Sequence, residues 1–489
     1  MIPHAPLLAT ILPIISAILI FAFRKYIKNY EGWIASIVAL LSVGIILSMV
    51  KEIIEQRFIY DTYTWIRTPS FHITLGFVVD EISFYIGLIV AVVSALSCFY
   101  SIKYMQGKHD QSSYYMNLLF FMAGMIGVIF SENLIQFYLF WELMLIPSYF
   151  LIAHWGTSKK RATIGFKYFI FTHVGALFML MGILSIYTFT GTFDFADMPL
   201  AVEQAVANSV MSAFDVLAVF VLLLIGFCVK MAVFPVHTWL PDAHAEAPTP
   251  ISAMLSGLMI KCGAYAFARI LLSAFGQTVT QTSDALAILG VITMIYGGLM
   301  ALAQTDIKRL LGYSSISQMG YIFFGLGVYS TMGATGALFH VLNHAVCKSL
   351  LFMCAGVIIH QTGIRDIRKL GGLANKMPIT CAAALIGALS LAGTPPLNGF
   401  WSEWMIFSGG IFSGKILITT VAVISTAITA GYYLWFLWRV FFGTTPEKLE
   451  ITMREPSWLM RIPIIILTVL AVVIGIWPDI VLRLLSVPF

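Results

Sequence analysis

Charged side chains are scarce in this sequence: Asp, Glu, Lys and Arg make up 10 % of it, whereas a soluble domain has roughly 25 %. This scarcity excludes an ordinary water-soluble globular protein. Long apolar runs stand in place of the missing charges, and they repeatedly reach the roughly 20 residues that cross a bilayer as a helix. The sequence therefore predicts an all-α polytopic membrane protein.

Cysteine is also sparse, and no pair has the C-x-x-C spacing. This pattern argues against a disulfide framework and against a zinc or iron–sulfur site. The sequence carries no flavin or haem motif either, so no cofactor and no metal are expected in this chain. The cysteines are interpreted as packing residues, since all six lie inside apolar segments: Cys98, Cys228, Cys262, Cys347, Cys354 and Cys381.

Basic residues form no patch despite the net charge of +5, which argues against nucleic-acid binding. They are scattered over short loops, and the loops of one predicted side hold most of them, as in Lys159 to Arg161 and Arg365 to Lys369. Cytoplasmic loops carry the Lys/Arg excess, so both termini are predicted on the outer side of a bacterial or archaeal cell membrane, or an equivalent energy-converting membrane. Residues 1–23 lack a basic start and a small-residue cleavage site, which indicates a retained first helix.

Counting the apolar runs between polar breaks predicts about fourteen transmembrane helices in a single membrane domain, residues 1–489. The predicted spans are 2–23, 31–50, 78–101, 113–130, 132–153, 163–187, 212–240, 249–273, 284–303, 308–329, 333–360, 378–408, 415–440 and 459–484.

Prolines interrupt two of these spans. In GFCVKMAVFPVHTWLPD, Pro235 is predicted to break the helix and to leave Lys230 near a C-terminal helix end, which favours a cation. In LAGTPPLNGFWSEWMIF, Pro395 and Pro396 are predicted to break a second helix, with Glu403 early in its second half, where a helix N-terminus favours a carboxylate.

Broken helices at corresponding places in two halves are typical of transporters built from inverted repeats. The first predicted repeat is residues 113–273 (spans four to eight), and the second is residues 284–440 (spans nine to thirteen). The prediction depends on break positions and charge placement.

Three ionisable residues are predicted near the bilayer midplane: Glu142, Lys261 and Lys348. A lysine there costs roughly 2.5–3.5 kcal/mol or more, so these residues indicate partners inside the bundle and a functional role. A buried structural ion pair is the alternative for Glu142 and one lysine. Lys167 and Arg269 stand near helix ends, where their side chains are expected to reach the interface.

The segment HVLNHAVCKSLLF places His340, His344 and Lys348 on one helix face, at i, i+4 and i+8. An H-x-x-x-H pair can bind zinc, but H-E-x-x-H is absent and the nearby lysine would repel a cation. Histidines that titrate near neutrality suit a proton relay better.

Three motifs resemble a known family: FWELMLIPSYFLIAHWG, TDIKRLLGYSSISQMGY, and the run from Lys230 through WLPDAHAEAPTP to Lys261. They are similar to the antiporter-like proton-pumping membrane subunits of respiratory complex I (NADH:quinone oxidoreductase), most closely the subunit M or chain 4 type, or a relative in a related complex. The resemblance covers at least residues 100–440. It implies an interacting pair of Glu142 and Lys230, a relay through Lys261, His340 and His344, and a terminal site at Glu403.

Lys348 departs from that pattern and looks more like subunit L and the multi-subunit sodium/proton antiporters, which tend to have lysine at the position of Glu403. A deazaflavin-linked or hydrogenase-linked complex is therefore a further possibility. The resemblance implies a proton-translocating subunit, without a redox centre of its own, whose partners are neighbouring membrane subunits and lipids and not nucleic acid. The alternatives are a subunit of a sodium/proton antiporter and a scaffold without transport.

Overall fold

The computed structural model describes residues 2–68, 71–444 and 454–485 of the chain. Twelve helices in this described part are long and apolar enough to cross a membrane. The prediction of an all-α polytopic membrane protein is confirmed.

The first half of the chain begins with apolar helices, followed by a β-hairpin and then by a bundle. Its elements are α1 (Ala5–Ala22), α2 (Glu31–Leu47), α3 (Val50–Gln56), β1 (Ile59–Thr68), β2 (Phe71–Val79), α4 (Glu81–Tyr104), α5 (Gln111–Phe130), α6 (Leu134–Trp155), α7 (Arg161–Thr190), α8 (Met198–Ala207), α9 (Ala213–Met231), α10 (Leu240–Glu246), α11 (Thr249–Met254) and α12 (Ile260–Ala266).

The second half continues the bundle with long helices. Its elements are α13 (Gly276–Leu302), α14 (Ile307–Gly327), α15 (Thr331–Thr362), α16 (Pro378–Leu391), α17 (Asn398–Phe412), α18 (Ile416–Phe441), α19 (Trp458–Ile476) and α20 (Asp479–Leu482).

Each of the fourteen predicted spans falls on a helical segment. The two that are not among the twelve long apolar helices are α14, which is 21 residues long, and the pair α16 and α17. Two predicted spans are too long. The helix of 212–240 ends at Met231, and that of 459–484 ends at Ile476, because Pro478 follows and starts the short α20.

The first predicted break is confirmed and begins before Pro235. Helix α9 ends at Met231, and Ala232 takes the left-handed conformation with φ 57°. The next helix, α10, starts only at Leu240. The indole N–H of Trp239 donates to the carbonyl of Val229 at 3.0 Å, which satisfies one of the carbonyl groups freed at the end of α9.

The second predicted break is also confirmed. It separates α16, which ends at Leu391, from α17, which starts at Asn398. Gln318 of α14 donates to the freed carbonyl of Leu391 at 3.1 Å. Gly399 packs against the end of α16, where a Cβ would lie 1.9 Å from the carbonyl oxygen of Ser390. The two half-helices approach so closely that only glycine fits at position 399.

The interior of the bundle contains helix α15 and the segment Thr249–Leu272. Helix α15 is buried along most of its length. The segment Thr249–Leu272 runs beside it and contains π-helical turns at Leu255–Met259 and Phe267–Leu272, which the sequence pattern does not reveal. Such π-bulges occur frequently at functional sites. Lys261 stands between the two turns.

A two-stranded antiparallel hairpin, β1 and β2, precedes α4 and was not predicted from the sequence. Glu132, in the turn between α5 and α6, accepts hydrogen bonds from the hydroxyls of Thr62 at 2.9 Å and Thr74 at 3.0 Å. The amide of Gly76 donates to the side chain of Gln136 at 2.9 Å. Side-chain hydrogen bonds therefore hold the hairpin on the end of the helical bundle.

Candidate functional site

The centre of the site is a hydrogen bond between Lys261 and His344. The lysine Nζ contacts Nδ1 of His344 and the carbonyl oxygen of Ser256, and both side chains are buried. The π-helical turn places the Ser256 carbonyl at the lysine. A proton can sit on either nitrogen of the Lys261–His344 pair while the heavy atoms keep the same contact, so the pair can pass a proton without a conformational change.

His340 lies one helical turn before His344 and is fully buried. Its Nε2 is 2.7 Å from Oε1 of Gln318, and its Nδ1 is 2.9 Å from the hydroxyl of Ser402. The Gln318 amide group donates to the Leu391 carbonyl, which leaves Oε1 as the acceptor for the histidine N–H.

The surroundings of His340 accommodate two protonation states. The Ser402 hydroxyl is also 2.9 Å from the carbonyl of Gly399. With a neutral His340, this hydroxyl donates to Nδ1; with a protonated His340, both ring nitrogens donate and the hydroxyl turns to Gly399. Rotation of the Ser402 hydroxyl therefore keeps the hydrogen bonds of His340 satisfied when the ring gains or loses a proton.

Lys348 continues the same face of α15. Its Nζ donates to the Ser314 hydroxyl and, at 3.1 Å, to the Leu311 carbonyl, and it lies 5.5 Å from the centre of the Tyr433 ring. The side chain is fully buried. The predicted common face of His340, His344 and Lys348 is therefore present: His340 and Lys348 both reach α14, and His344 reaches Lys261 of α12.

Glu142 and Lys230 do not form a direct ion pair. Oε2 of Glu142 is 3.2 Å from Nδ1 of His173 instead, and Oε1 is buried without a hydrogen-bond partner among the described residues. The Lys230 ammonium lies 4.8 Å from the centre of the Trp141 ring and likewise has no hydrogen-bond partner in the described chain. Trp141 is next to Glu142 in sequence, so the Glu142 carboxylate and the Lys230 ammonium lie in the same region without direct contact.

Lys230 lies in the last turn of α9, which confirms the prediction that it stands near the C-terminal end of a half-helix. It is the penultimate residue of α9, but its side chain reaches the indole face, because Cα–Cβ bonds in a helix tilt toward the N-terminus. Cation–π attraction favours the charged ammonium, whereas burial without an acceptor penalises it.

Glu403 is buried and stands sixth in α17, one turn further into the helix than the freed N–H groups that were expected to stabilise it. Its Oε1 has no hydrogen-bond partner among the described residues. The carboxylate lies beside Gly393 in the break, where a Cβ would be 2.5 Å from Oε2. Its sequence neighbour Ser402 bonds His340, so Glu403 adjoins the histidine network without joining it directly.

Sequence reasoning missed a set of cations that hold the segment after the first break. Lys167 and Arg309 pair with Asp242 at 2.8 and 3.1 Å. Lys308, which is buried, donates to the Ala247 carbonyl, and Arg365 donates to the Ala245 carbonyl at 2.8 Å. Lys167 therefore does more than anchor a helix at the membrane interface. Arg269, the other expected anchor, pairs with Asp80.

His244 was also missed, although it lies within the motif WLPDAHAEAPTP. It is fully buried on α10, and neither ring nitrogen has a hydrogen-bond partner among the described residues. Its ring is 5.0 Å from that of Phe352 on α15. The signal that points to it is a histidine inside the acidic run PDAHAEAP, two residues after Asp242.

The fold and the buried series of lysine, histidine and glutamate side chains define an antiporter-like membrane subunit. Comparison with known families agrees: the model described as NADH:quinone oxidoreductase/Mrp antiporter, transmembrane, matches residues 131–429. The model of the N-terminus of NADH-ubiquinone oxidoreductase (complex I) chain 5 matches residues 65–115. The chain belongs to the NADH:quinone oxidoreductase/Mrp antiporter transmembrane family, which confirms the resemblance seen in the sequence.

Individual relatives come from two kinds of complex. The chain is 32 % identical to F(420)H(2) dehydrogenase subunit M of Methanosarcina mazei, over 99 % of this chain and 97 % of the relative. It is 35 % identical to an Na(+)/H(+) antiporter subunit of Alkalihalophilus pseudofirmus over 96 % of this chain, and it spans only 61 % of that subunit's length.

Solved structures share the fold across nearly the whole chain. A chain of the membrane-bound sulfane sulfur reductase, an archaeal respiratory membrane complex, has a TM-score of 0.88 and 30 % identity, covering 99 % of this chain and 77 % of that one. A chain of respiratory complex I from Thermus thermophilus has a TM-score of 0.87 and 24 % identity, covering 98 % and 97 %. The latter shows similarity of fold alone.

Proposed function

We propose that this chain is a proton-translocating membrane subunit of a complex I-like oxidoreductase, in which redox reactions of partner subunits drive proton transfer through this chain. The buried hydrogen bond between Lys261 and His344 is the observation that carries the proposal. Burying two titratable groups inside a membrane domain costs free energy. Their presence there therefore indicates a function.

The proposed route runs along the middle of the membrane. Glu142 and Lys230 form its first part, and the charge state of Glu142 sets how readily Lys230 releases a proton toward Lys261. His344 and His340 carry the proton along α15, with Lys348 acting on them through its charge. Glu403, beside the second break, is the terminal site.

We also propose that residues 113–273 and 284–440 are two inverted repeats. The fourth span of each unit is the broken one, α9 with α10 in the first and α16 with α17 in the second. The third span of each is a long helix, α7 with 30 residues and α15 with 32. This agreement in the order of elements supports the repeat.

The orientation and the assembly follow from the same proposal. The Lys/Arg-rich loops face the cytoplasm of a bacterial or archaeal cell, and both ends of this chain lie on the outer side. Other membrane subunits are its partners, because its relatives are named as subunits of larger assemblies. One example is subunit M of the F(420)H(2) dehydrogenase of Methanosarcina mazei.

Proton translocation by the intact complex in sodium-free vesicles tests the proposal. Acidification or alkalinisation of the vesicle interior, started by the electron donor and abolished by an uncoupler, is the expected result. A complex that oxidises its donor at full rate without moving protons would contradict it.

A subunit of a sodium/proton antiporter is the second candidate, and similarity to the Alkalihalophilus pseudofirmus protein favours it. Sodium prefers oxygen ligands. No group of three or more His, Cys, Asp or Glu side chains suited to a metal ion occurs in the described residues. A strict requirement for millimolar sodium in the vesicle assay would favour this candidate over the first.

A further inference from the structure

A cavity of about 760 Å³ lies where the connection between α1 and α2 meets the connection between α4 and α5. It is remote in sequence from the proposed proton route, and the proposed function does not use it. Four cationic side chains line it: Arg24, Lys25, Lys28 and Lys108. Such basic pockets at the membrane boundary are suited to acidic lipid head groups.

These cations have no carboxylate partner. None of the four forms an ion pair within the described part of the chain, and two of them rest on aromatic rings, Arg24 on Phe21 at 4.7 Å and Lys108 on Tyr104 at 4.4 Å. Unpaired cations that converge on one cavity favour an anion there.

The two carboxylates in the cavity lining are held by other groups. Glu31, which is buried, accepts a hydrogen bond from the Ser112 hydroxyl at 2.9 Å. Asp110 caps the start of α5 by accepting from the amide of Ser113 at 3.3 Å. With four cations and two carboxylates in the lining, the cavity keeps a positive excess.

An apolar stripe leads away from the cavity along α2. Trp33 lines the cavity and is 43 % exposed, and Ile37, Leu40 and Leu41 continue the same helix face at i+4, i+7 and i+8 with 53–57 % exposed. Tryptophan is enriched where the head groups meet the hydrocarbon region. A ligand with a phosphate at the cavity can therefore lay its acyl chains along α2.

We propose that this cavity binds the phosphate head group of an anionic phospholipid, with the acyl chains against the exposed face of α2. The basic side chains neutralise the phosphate. The lipid would tie the loops at the ends of α1 and α4 together.

The test compares phosphatidylglycerol with phosphatidylcholine on the intact complex, by native mass spectrometry after delipidation and titration. Lys25→Gln combined with Lys28→Gln is expected to weaken phosphatidylglycerol binding about 25-fold, because each lysine near an anionic surface contributes roughly fivefold. Lys159→Gln combined with Lys160→Gln is the matched control, since it removes two neighbouring loop lysines outside the cavity.

Three results would overturn the proposal. Equal losses in the cavity variant and the control would mean that binding follows net charge alone. Displacement of phosphatidylglycerol by millimolar inorganic phosphate would mean that the site takes a free anion. Unchanged lipid binding together with loss of a neighbouring protein subunit from the cavity variant would mean that the surface is a protein interface.

Discussion

Lys261 and His344 share a buried hydrogen bond that joins the π-bulged segment Thr249–Leu272 to the central helix α15. Both side chains are buried, and each can hold the proton that lies between them. In the proposed route, the pair is the point at which a proton crosses from one half of the chain to the other.

His344→Asn is expected to reduce proton translocation at least tenfold, because a positioned acid–base group contributes roughly 10²–10⁴-fold. Asparagine can still accept a hydrogen bond from Lys261 but cannot carry the proton. His360→Asn is the matched control, since His360 lies near the end of the same helix, where it contacts Tyr104. Proton uptake in vesicles measures the effect; equal rates in both variants would contradict the relay.

Lys230→Ala is expected to assemble but to lose proton translocation, because it removes the ammonium that lies over Trp141. Lys230→Arg separates charge from proton transfer, since arginine keeps the cation–π contact but does not release its proton. Both variants should fail in the vesicle assay at normal levels of assembled complex. Normal translocation by Lys230→Arg would mean that only a fixed positive charge is needed at this position.

Glu403→Gln is expected to leave an assembled complex with impaired proton translocation and slowed electron transfer. Glutamine keeps the size of the side chain beside Gly393 but holds no exchangeable charge. Glu403→Asp should retain part of the activity, and Glu403→Lys should retain some as well, because the resemblance to subunit L and to the sodium/proton antiporters implies a lysine at this position. Activity of Glu403→Gln equal to that of the parent at every pH would make Glu403 a structural carboxylate.

Gly399→Ala is expected to destabilise the protein by ~1–3 kcal/mol, the usual cost of forcing an extra group into a packed interior. The added methyl group would meet the Ser390 carbonyl and push the halves of the second broken helix apart. Gly44→Ala is the matched control, since nothing beyond the neighbouring backbone of its own helix lies within 4 Å of its Cβ position. Thermal unfolding of the purified protein measures both, and an unchanged Gly399→Ala midpoint would contradict the close approach.

The sequence predicted the spans and both breaks because hydropathy and proline act locally. It also predicted the common face of His340, His344 and Lys348, since helical spacing sets that relationship. These features depend on residues close together in the chain.

What it did not predict depends on distant contacts. Glu142 turns to His173 of α7, and Asp242 is held by Lys167 and Arg309, which no local pattern reveals. The β-hairpin was missed, although its strands have 10 and 9 residues, because it lies between apolar runs that were counted as membrane spans. The π-helical turns beside Lys261 were missed because no characteristic residue pattern marks them in the sequence.

Proton translocation by a Lys261 variant tests the central claim most directly. Lys261→Met keeps the approximate length of the side chain and removes its proton, while Lys376→Met, in an exposed loop position, is the control. The intact complex in sodium-free vesicles, driven by its electron donor, is expected to lose proton uptake with Lys261→Met and to keep it with Lys376→Met. Proton uptake by assembled Lys261→Met at the parent rate would contradict the account.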